Sequence, residues 1–341
     1  MKEQLTPYYI ATAYDRKLYT AGIVRFHQEK IMDEQGFTAL RFNNSSYKGL
    51  MVKCMRIQQC ILIAFSIPKK SIVYFHFPFP AAIEMLLLRL LKWRGIKTAA
   101  LIIDIDGLRD KNEGLLKKEI YQLSKFTYVV AHNEEMKKWL VQELPSTIIF
   151  SIIVFDYAYS GEAISNIKIS NLKLSNIICF AGNILKATFV YKWHSILPLQ
   201  LYVYGVGYNA LFNTKDGFIY KGTAPPDELP FVLEGSFGLV WDGDDLYNCD
   251  PYLKYNNPHK LSLYLAAGMP VIVWDKSAVS EWVKQNNIGF CISSISDISN
   301  RISNISIKEY DVMHENAAAI GKRICNGYYL KVVLKDIENI D

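Results

Sequence analysis

The residues best placed to do chemistry lie in the run Asn257-Pro258-His259-Lys260, which continues as Leu261-Ser262-Leu263-Tyr264-Leu265-Ala266-Ala267-Gly268. Asn257 has the side chain of a helix N-cap, and Pro258 suits the first helical position, where its missing N–H would have no partner anyway. Gly268 is a natural stop, and Met269-Pro270 leads into the apolar run Val271-Ile272-Val273-Trp274. His259 and Lys260 then fall in the first turn. A charged cation there opposes the helix dipole, at a cost of roughly 0.3–1 kcal/mol each. Unpaired backbone N–H groups beside a cation suit a bound anion, phosphate above all. The plain alternative is a surface lysine that points at water.

Three other places carry comparable residue types. Ala181-Gly182-Asn183-Ile184-Leu185-Lys186 follows an apolar run. Gly182, followed by Asn183, allows close approach of the backbone to a ligand, and Lys186 could reach a phosphate, although strand-Gly-Asn turns are common without any ligand. Ile102-Ile103-Asp104-Ile105-Asp106-Gly107-Leu108-Arg109 ends another apolar run with two carboxylates. Asp104 or Asp106 could serve as a general base. Two positions apart on an extended chain they face opposite ways, so at most one would face a ligand. Arg109 is either their structural partner or a ligand contact. His76 and His132 also stand at expected strand ends, each a ligand contact or simply a structural histidine. Trp241-Asp242-Gly243-Asp244-Asp245 is rich in carboxylates, but it lacks the spacing of a calcium loop and reads most simply as an Asp-Gly turn.

These residues need a frame of strands to hold them. Strands are expected at 8–11, 37–42, 71–75, 97–104, 128–131 and 147–154, with helices near 21–35, 81–94, 113–125 and 134–143. The run at 97–104 is apolar almost throughout, as in a strand covered on both faces. Residues 160–176 are rich in Ser, Asn and Lys and read as a linker. The alternation restarts with strands at 177–180, 201–204, 217–220, 237–241, 271–274 and 289–292. Acidic Asp227 and Glu228 mark a helix start after Pro225-Pro226, and the tail from 308 reads as helical. Alternating strands and helices of these lengths predict an α/β chain with parallel sheets. The expected division is 1–158, a linker at 159–175, a second domain at 176–315 and a closing helix at 316–341.

Length agrees with this, since 341 residues of which half are hydrophobic exceed one ordinary core. The net charge of +5 at pH 7 is mild. It fits an anionic ligand or weak attraction to an acidic membrane surface, and it does not make the dense basic patch of a nucleic-acid binder. The helix expected at 81–94 mixes leucines with Arg89, Lys92 and Arg94 and could lie on a membrane. Its polar positions form one narrow stripe, which favours a core helix. None of the six cysteines forms a C-x-x-C pair, so a reducing compartment is expected. The N-terminus shows no signal-peptide pattern and no stretch reaches about 18 uninterrupted apolar residues, so a cytoplasmic protein is expected.

With these residues in view, the chain resembles the bacterial β-1,6-galactofuranosyltransferases of O-antigen and exopolysaccharide synthesis. More distantly it is similar to the glucosyltransferase that extends glycans on serine-rich-repeat adhesins. The resemblance rests on Phe237-Gly238-Leu239-Val240-Trp241-Asp242-Gly243-Asp244, on Tyr252-Leu253-Lys254-Tyr255-Asn256-Asn257-Pro258-His259-Lys260, on Pro270-Val271-Ile272-Val273-Trp274-Asp275-Lys276 and on Ile288-Gly289-Phe290. Looser matches are Ala181-Gly182-Asn183, Val130-Ala131-His132-Asn133 and Asp104-Ile105-Asp106 with Leu108-Arg109.

The resemblance implies a GT-B fold: two Rossmann-like domains facing across a cleft, the first for the acceptor and the second for the donor. It implies an inverting glycosyltransferase that takes a hexose from a UDP-sugar, galactofuranose first and otherwise glucose, galactose or N-acetylglucosamine, with no obligatory metal and no other cofactor. The acceptor would be a lipid-linked or protein-linked glycan. Peripheral membrane contact and a homo-oligomer stay open, and no nucleic-acid partner is expected. Donor contacts carry over to Asn257, His259 and Lys260, to Gly182, Asn183 and Lys186, and to Thr20 and Tyr220. The base would be Asp104 or Asp106, with His76, Arg109 and His132 toward the acceptor. One departure stands out: where the family tends to have His-Asp, this chain has Ile103-Asp104. A UDP-sugar epimerase and a non-catalytic GT-B subunit are the readings from other classes.

Overall fold

The computed structural model describes residues 5–11, 22–42, 50–79, 83–158, 172–195, 199–212 and 218–340. They form two compact units. One is built from Val24–Ile153 together with the first strand and the C-terminal stretch from Tyr329, the other chiefly from Val154–Tyr328.

The first unit carries β1 (Thr6–Ala11), α1 (Ile23–Glu34), β2 (Thr38–Arg41), α2 (Leu50–Ser66), β3 (Ser71–Phe77), α3 (Ile83–Trp93), β4 (Lys97–Ile102), α4 (Asp106–Arg109), α5 (Glu113–Leu123), β5 (Tyr128–Ala131), α6 (Glu134–Glu143) and β6 (Ile148–Ser151). Its six strands are ordered β2-β1-β3-β4-β5-β6, and every neighbouring pair is parallel. β3 is buried along its whole length, which is why it reads as an unbroken apolar run instead of an alternation. The helix expected at 81–94 is a core helix: Leu87, Leu88 and Leu91 of α3 are fully buried against the sheet. α2 was not anticipated. Its apolar residues run around both faces of the helix, so no single stripe announces it.

The second unit carries β7 (Ile177–Ala181), β8 (Gln200–Tyr204), β9 (Ile219–Gly222), α7 (Leu229–Val232), β10 (Phe237–Val240), α8 (His259–Ala266), β11 (Val271–Trp274), α9 (Ser280–Gln285), β12 (Gly289–Ile292), α10 (Asp297–Ser303) and α11 (Ile307–Cys325). A 3-10 segment, Thr188–Ser195, replaces a full helix between β7 and β8. The strand order is β12-β11-β10-β7-β8-β9, all parallel. Counted from β7, this is the doubly wound dinucleotide-fold order, whose direction reverses between β7 and β10. Most of the expected linker, 159–171, lies outside the described residues.

The helical tail is two helices. Gly327 turns the chain with φ +68° after α11, as a glycine after a helix end does. α12 (Tyr328–Ile340) follows. It buries Leu330, Val333, Leu334 and Ile337, and Lys331 pairs with Glu34 at 3.7 Å.

Close packing seats α8 between its neighbours. A Cβ on Gly238 of β10 would lie 2.2 Å from the Tyr264 ring, and one on Gly321 of α11 would lie 2.0 Å from the Leu265 carbonyl oxygen. Neither position has room for a methyl group. Gly321→Ala is therefore expected to lower the unfolding free energy by about 1–3 kcal/mol through overpacking. Urea denaturation should show a lower midpoint at an unchanged slope. Gly114→Ala is the control: its Cβ would meet only Asn112 Oδ1 at 3.6 Å, so equal loss in both variants would remove the packing explanation.

Candidate functional site

In the second unit the loops after β7, β8 and β10 and the start of α8 enclose a cavity of about 400 Å³. It opens where the strand order reverses, which is where sheets of this topology bind ligands. Its walls include Gly182, Lys186, Gly205, Asp242, Asn256 and Lys260.

Glycines let the first two loops meet. The Gly182 N–H donates to Tyr204 O at 3.0 Å. Gly205 adopts φ +133°, and a Cβ there would lie 1.9 Å from Gly182 O. Only a glycine fits both constraints. The Asn183 carboxamide accepts from Leu185 N at 3.0 Å, so this side chain shapes the loop instead of reaching into the cavity. Lys186 is exposed on the rim of that loop. Tyr220 stands behind it, stacked on Tyr208 at 4.2 Å with its hydroxyl donating to Gly205 O at 2.9 Å. It supports the wall and does not line it.

α8 starts at His259, with Pro258 in the cap position at φ −68°, ψ 127° and no side-chain cap bond. The expected cap, Asn257, lies one residue earlier and is buried; the ψ of Pro258 is extended, so helical geometry cannot begin there. His259 stacks on Tyr157 with ring centroids 5.0 Å apart. Burial pushes its pKa down to about 4, so it is a neutral ring near pH 7 and not a second cation beside Lys260.

Lys260 is the one cation of the first turn. Its ammonium donates to Trp241 O at 2.9 Å and to Asp242 Oδ1 at 2.5 Å, and it sits 4.8 Å from the centre of the Phe180 ring. Its side chain is 12% exposed. The anion that a first-turn cation calls for is, in this structure, the chain's own Asp242. That role was not legible in the sequence, where Asp242 read as part of a turn. An ammonium has three donors, so one N–H of Lys260 remains beyond these two bonds. Asp245 serves the turn itself, accepting from Tyr247 N at 2.7 Å. No cluster of three or more His, Cys, Asp or Glu side chains that could hold a metal occurs among the described residues.

In the first unit the carboxylates after β4 do come together, around Arg109. Its guanidinium pairs with Asp104, with Asp106 at 3.0 Å and with Asp110 at 2.8 Å. The Asp110 hydrogen bond first, and then the charges of Asp104 and Asp106, hold Arg109 protonated. Asp104 also accepts from Ile105 N at 3.0 Å. Glu119 of α5, buried beneath them, accepts from Asp106 N at 3.1 Å and Gly107 N at 2.8 Å. It caps the turn on which Asp106 stands, and burial raises its pKa. Chain proximity gave no hint of it.

The two histidines considered for acceptor contact are core residues, His76 being 3% and His132 1% exposed. His76 Nδ1 lies 3.6 Å from Glu29, and His132 bonds to the backbone of Ile102 and Ile103. Burial pushes both pKa values down to about 3. Thr20 lies outside the described residues.

Comparison with known proteins agrees with this architecture. Residues 7–146 match the family model described as Glucosyltransferase 3-like, N-terminal domain, and residues 178–337 match the one described as Glucosyltransferase 3-like, C-terminal domain. The β-1,6-galactofuranosyltransferase WbbI of Escherichia coli K12 is 31% identical over 278 residues, which cover 79% of each chain. Glucosyltransferase 3 of Streptococcus gordonii is 31% identical over 159 residues, 46% of each chain. Among solved structures, the sucrose-phosphate synthase of Thermosynechococcus elongatus has a TM-score of 0.67 at 10% identity, covering 99% of this chain and 100% of that one. HepE of Anabaena, solved in complex with UDP and glucose, has a TM-score of 0.61 at 10% identity and covers 98% and 99%. These last two likenesses speak to the fold, which is GT-B. The family relationship also sets the epimerase and non-catalytic readings aside: the chain belongs to the glucosyltransferase 3-like family and is a glycosyltransferase.

Proposed function

We propose that this enzyme transfers galactofuranose from UDP-galactofuranose to a glycan acceptor of bacterial surface-polysaccharide or glycoprotein synthesis, with inversion at the anomeric carbon and without an obligatory metal. The observation that carries the donor half is Lys260, held by Asp242 and Trp241 O at the mouth of the strand-order reversal, with one N–H to spare. The diphosphate lies across Gly182, where the absence of a side chain allows close approach. It accepts from Lys260 at the start of α8, where the positive end of the helix dipole favours an anion. Lys186 closes over it from the rim. As the bond from the anomeric carbon to the diphosphate oxygen breaks, negative charge builds on the leaving group, and these fixed donors stabilise it. HepE, with UDP bound in its solved structure, supports a UDP-sugar as donor. WbbI supports galactofuranose, and the β linkage in its name supports inversion from an α-linked donor.

The acceptor hydroxyl attacks the anomeric carbon and gives its proton to a carboxylate. Asp106 is the better placed of the two candidates. Asp104 divides its oxygens between Arg109 and Ile105 N, whereas the Asp106 carboxylate pairs with Arg109 through Oδ1 at 3.0 Å. The Glucosyltransferase 3 relatives favour glucose as the second donor to test.

Lys260→Ala should reduce kcat/KM by about 100-fold or more, the loss of roughly 2–4 kcal/mol expected for one donor to the developing charge. UDP release with UDP-galactofuranose and UDP-glucose reads this, and calorimetry reads UDP affinity. Near-native turnover and affinity in a variant that melts like the parent would discard the phosphate assignment.

Asp106→Asn should reduce turnover by about 100-fold or more while Asp104→Asn costs less, since a positioned base contributes about that factor. Proton NMR of the product reports the anomeric outcome. Full activity in both variants, or a retained configuration, would remove the inverting carboxylate mechanism.

A further inference from the structure

We infer that the outer face of α2, with Trp93, is a docking surface for anionic phospholipid membrane, so that the first unit rests on a lipid bilayer. The inference stands independently of the donor proposed above. α2 carries an exposed apolar stripe: Met51 is 78% exposed, Leu62 62%, Phe65 55% and Met55 53%. Met51, Met55 and Leu62 fall on one line of the helix, and Phe65 is one turn beyond Leu62. Trp93, at the end of α3 and 75% exposed, packs beside Phe65 with centroids 6.3 Å apart. Arg94 lies over the Phe65 ring at 5.2 Å and bonds to Ile67 O at 2.7 Å, which fixes this corner of the patch. Large side chains gathered in this way are not the scattered exposed hydrophobics of an ordinary surface.

The charge around the stripe names the partner. Lys53, Lys69, Lys70, Arg89 and Lys92 are exposed on α2, α3 and the turn between α2 and β3. No Asp or Glu occurs from Leu50 to Ile83, and Glu84 is buried. An apolar stripe with only positive charge beside it is the pattern of a helix lying in the interface of an anionic bilayer. A second copy of this chain fits less well. A two-fold interface sets a patch against itself, and this one would set lysines against lysines. No described helix is long and apolar enough to cross a membrane, so the contact is a peripheral one.

The test is sedimentation of the full chain with vesicles of phosphatidylcholine alone and of phosphatidylcholine with roughly one-third phosphatidylglycerol. The chain should pellet with the anionic vesicles and stay in solution with the neutral ones, and molar salt should weaken the binding at least several-fold. The exposed-residue variant Met55→Ser/Leu62→Ser/Phe65→Ser should lose about tenfold or more in partitioning while keeping its circular dichroism and its transfer to a soluble acceptor. Equal binding to both vesicle types, no binding to either, or unchanged binding of the triple variant would overturn the inference. So would a dimer, seen by light scattering, that the triple variant dissociates and that does not bind vesicles.

Discussion

The cavity of the second unit depends on one phenolic hydroxyl. Tyr264, fully buried on α8, accepts from Ala181 N at 2.8 Å and donates to Leu239 O at 3.2 Å. Those two atoms belong to β7 and β10, the strands between which the sheet reverses its order. Where the order reverses, the connections leave in opposite directions and a crevice opens. The Tyr264 hydroxyl satisfies one backbone group on each side of it, and a buried backbone group without a partner would cost about 1–3 kcal/mol. The ring fits only because β10 has Gly238 beneath it, and the helix fits under α11 only because that helix has Gly321. Ser262 adds a tie to Phe155 O at 2.7 Å. The first turn of α8 is thus fixed against the strand ends before any ligand arrives, and a charge-stabilising site acts best when it need not reorganise.

Fixing a lysine so deeply creates an electrostatic problem that Asp242 answers. An ammonium with little exposure beside a helix N-terminus is unfavourable by desolvation and by the dipole. Asp242 and Trp241 O follow directly on β10, so the strand that carries Gly238 also delivers the partners of Lys260. Lys260 is held in place as an ion pair, with a donor left over, instead of ranging through solvent. A flexible lysine would lose side-chain freedom on binding, whereas this one has already lost it in folding.

The parallel α/β frame was legible because buried strands leave unbroken apolar runs such as β3 and β10, and because βαβ spacing then dictates parallel pairing. The position of α8 was legible from Pro258 and Gly268. Its chemistry was read only in part. A histidine in sequence looks like a potential cation, and only burial against Tyr157 tells that His259 is neutral. The pairing of Lys260 with Asp242 joins residues on different elements, so spacing along the chain carries no trace of it. α2 was missed for a different reason. Its apolar residues serve different surroundings, some facing α3 and some exposed, so it has no single periodic stripe to find.

The strand ends of the two units show how two all-parallel sheets of different strand order can be closed or open. At the ends of β3 and β5 the polar side chains are drawn inward: His76 is set beside Glu29, and His132 is bonded to the ends of its neighbouring strand. At β4, Glu119 spends both its oxygens on the turn that presents Asp106. Gly107 is required there too, since a Cβ would lie 2.3 Å from Leu116 N. The first unit therefore pairs its buried polar groups internally, Glu119 among them holding one short carboxylate turn. The second leaves its strand ends to glycines and a helix start, and so keeps its polar groups facing an open cavity. Polar groups spent on a backbone turn are no longer free for a ligand, whereas strand ends left to glycines keep their backbone accessible.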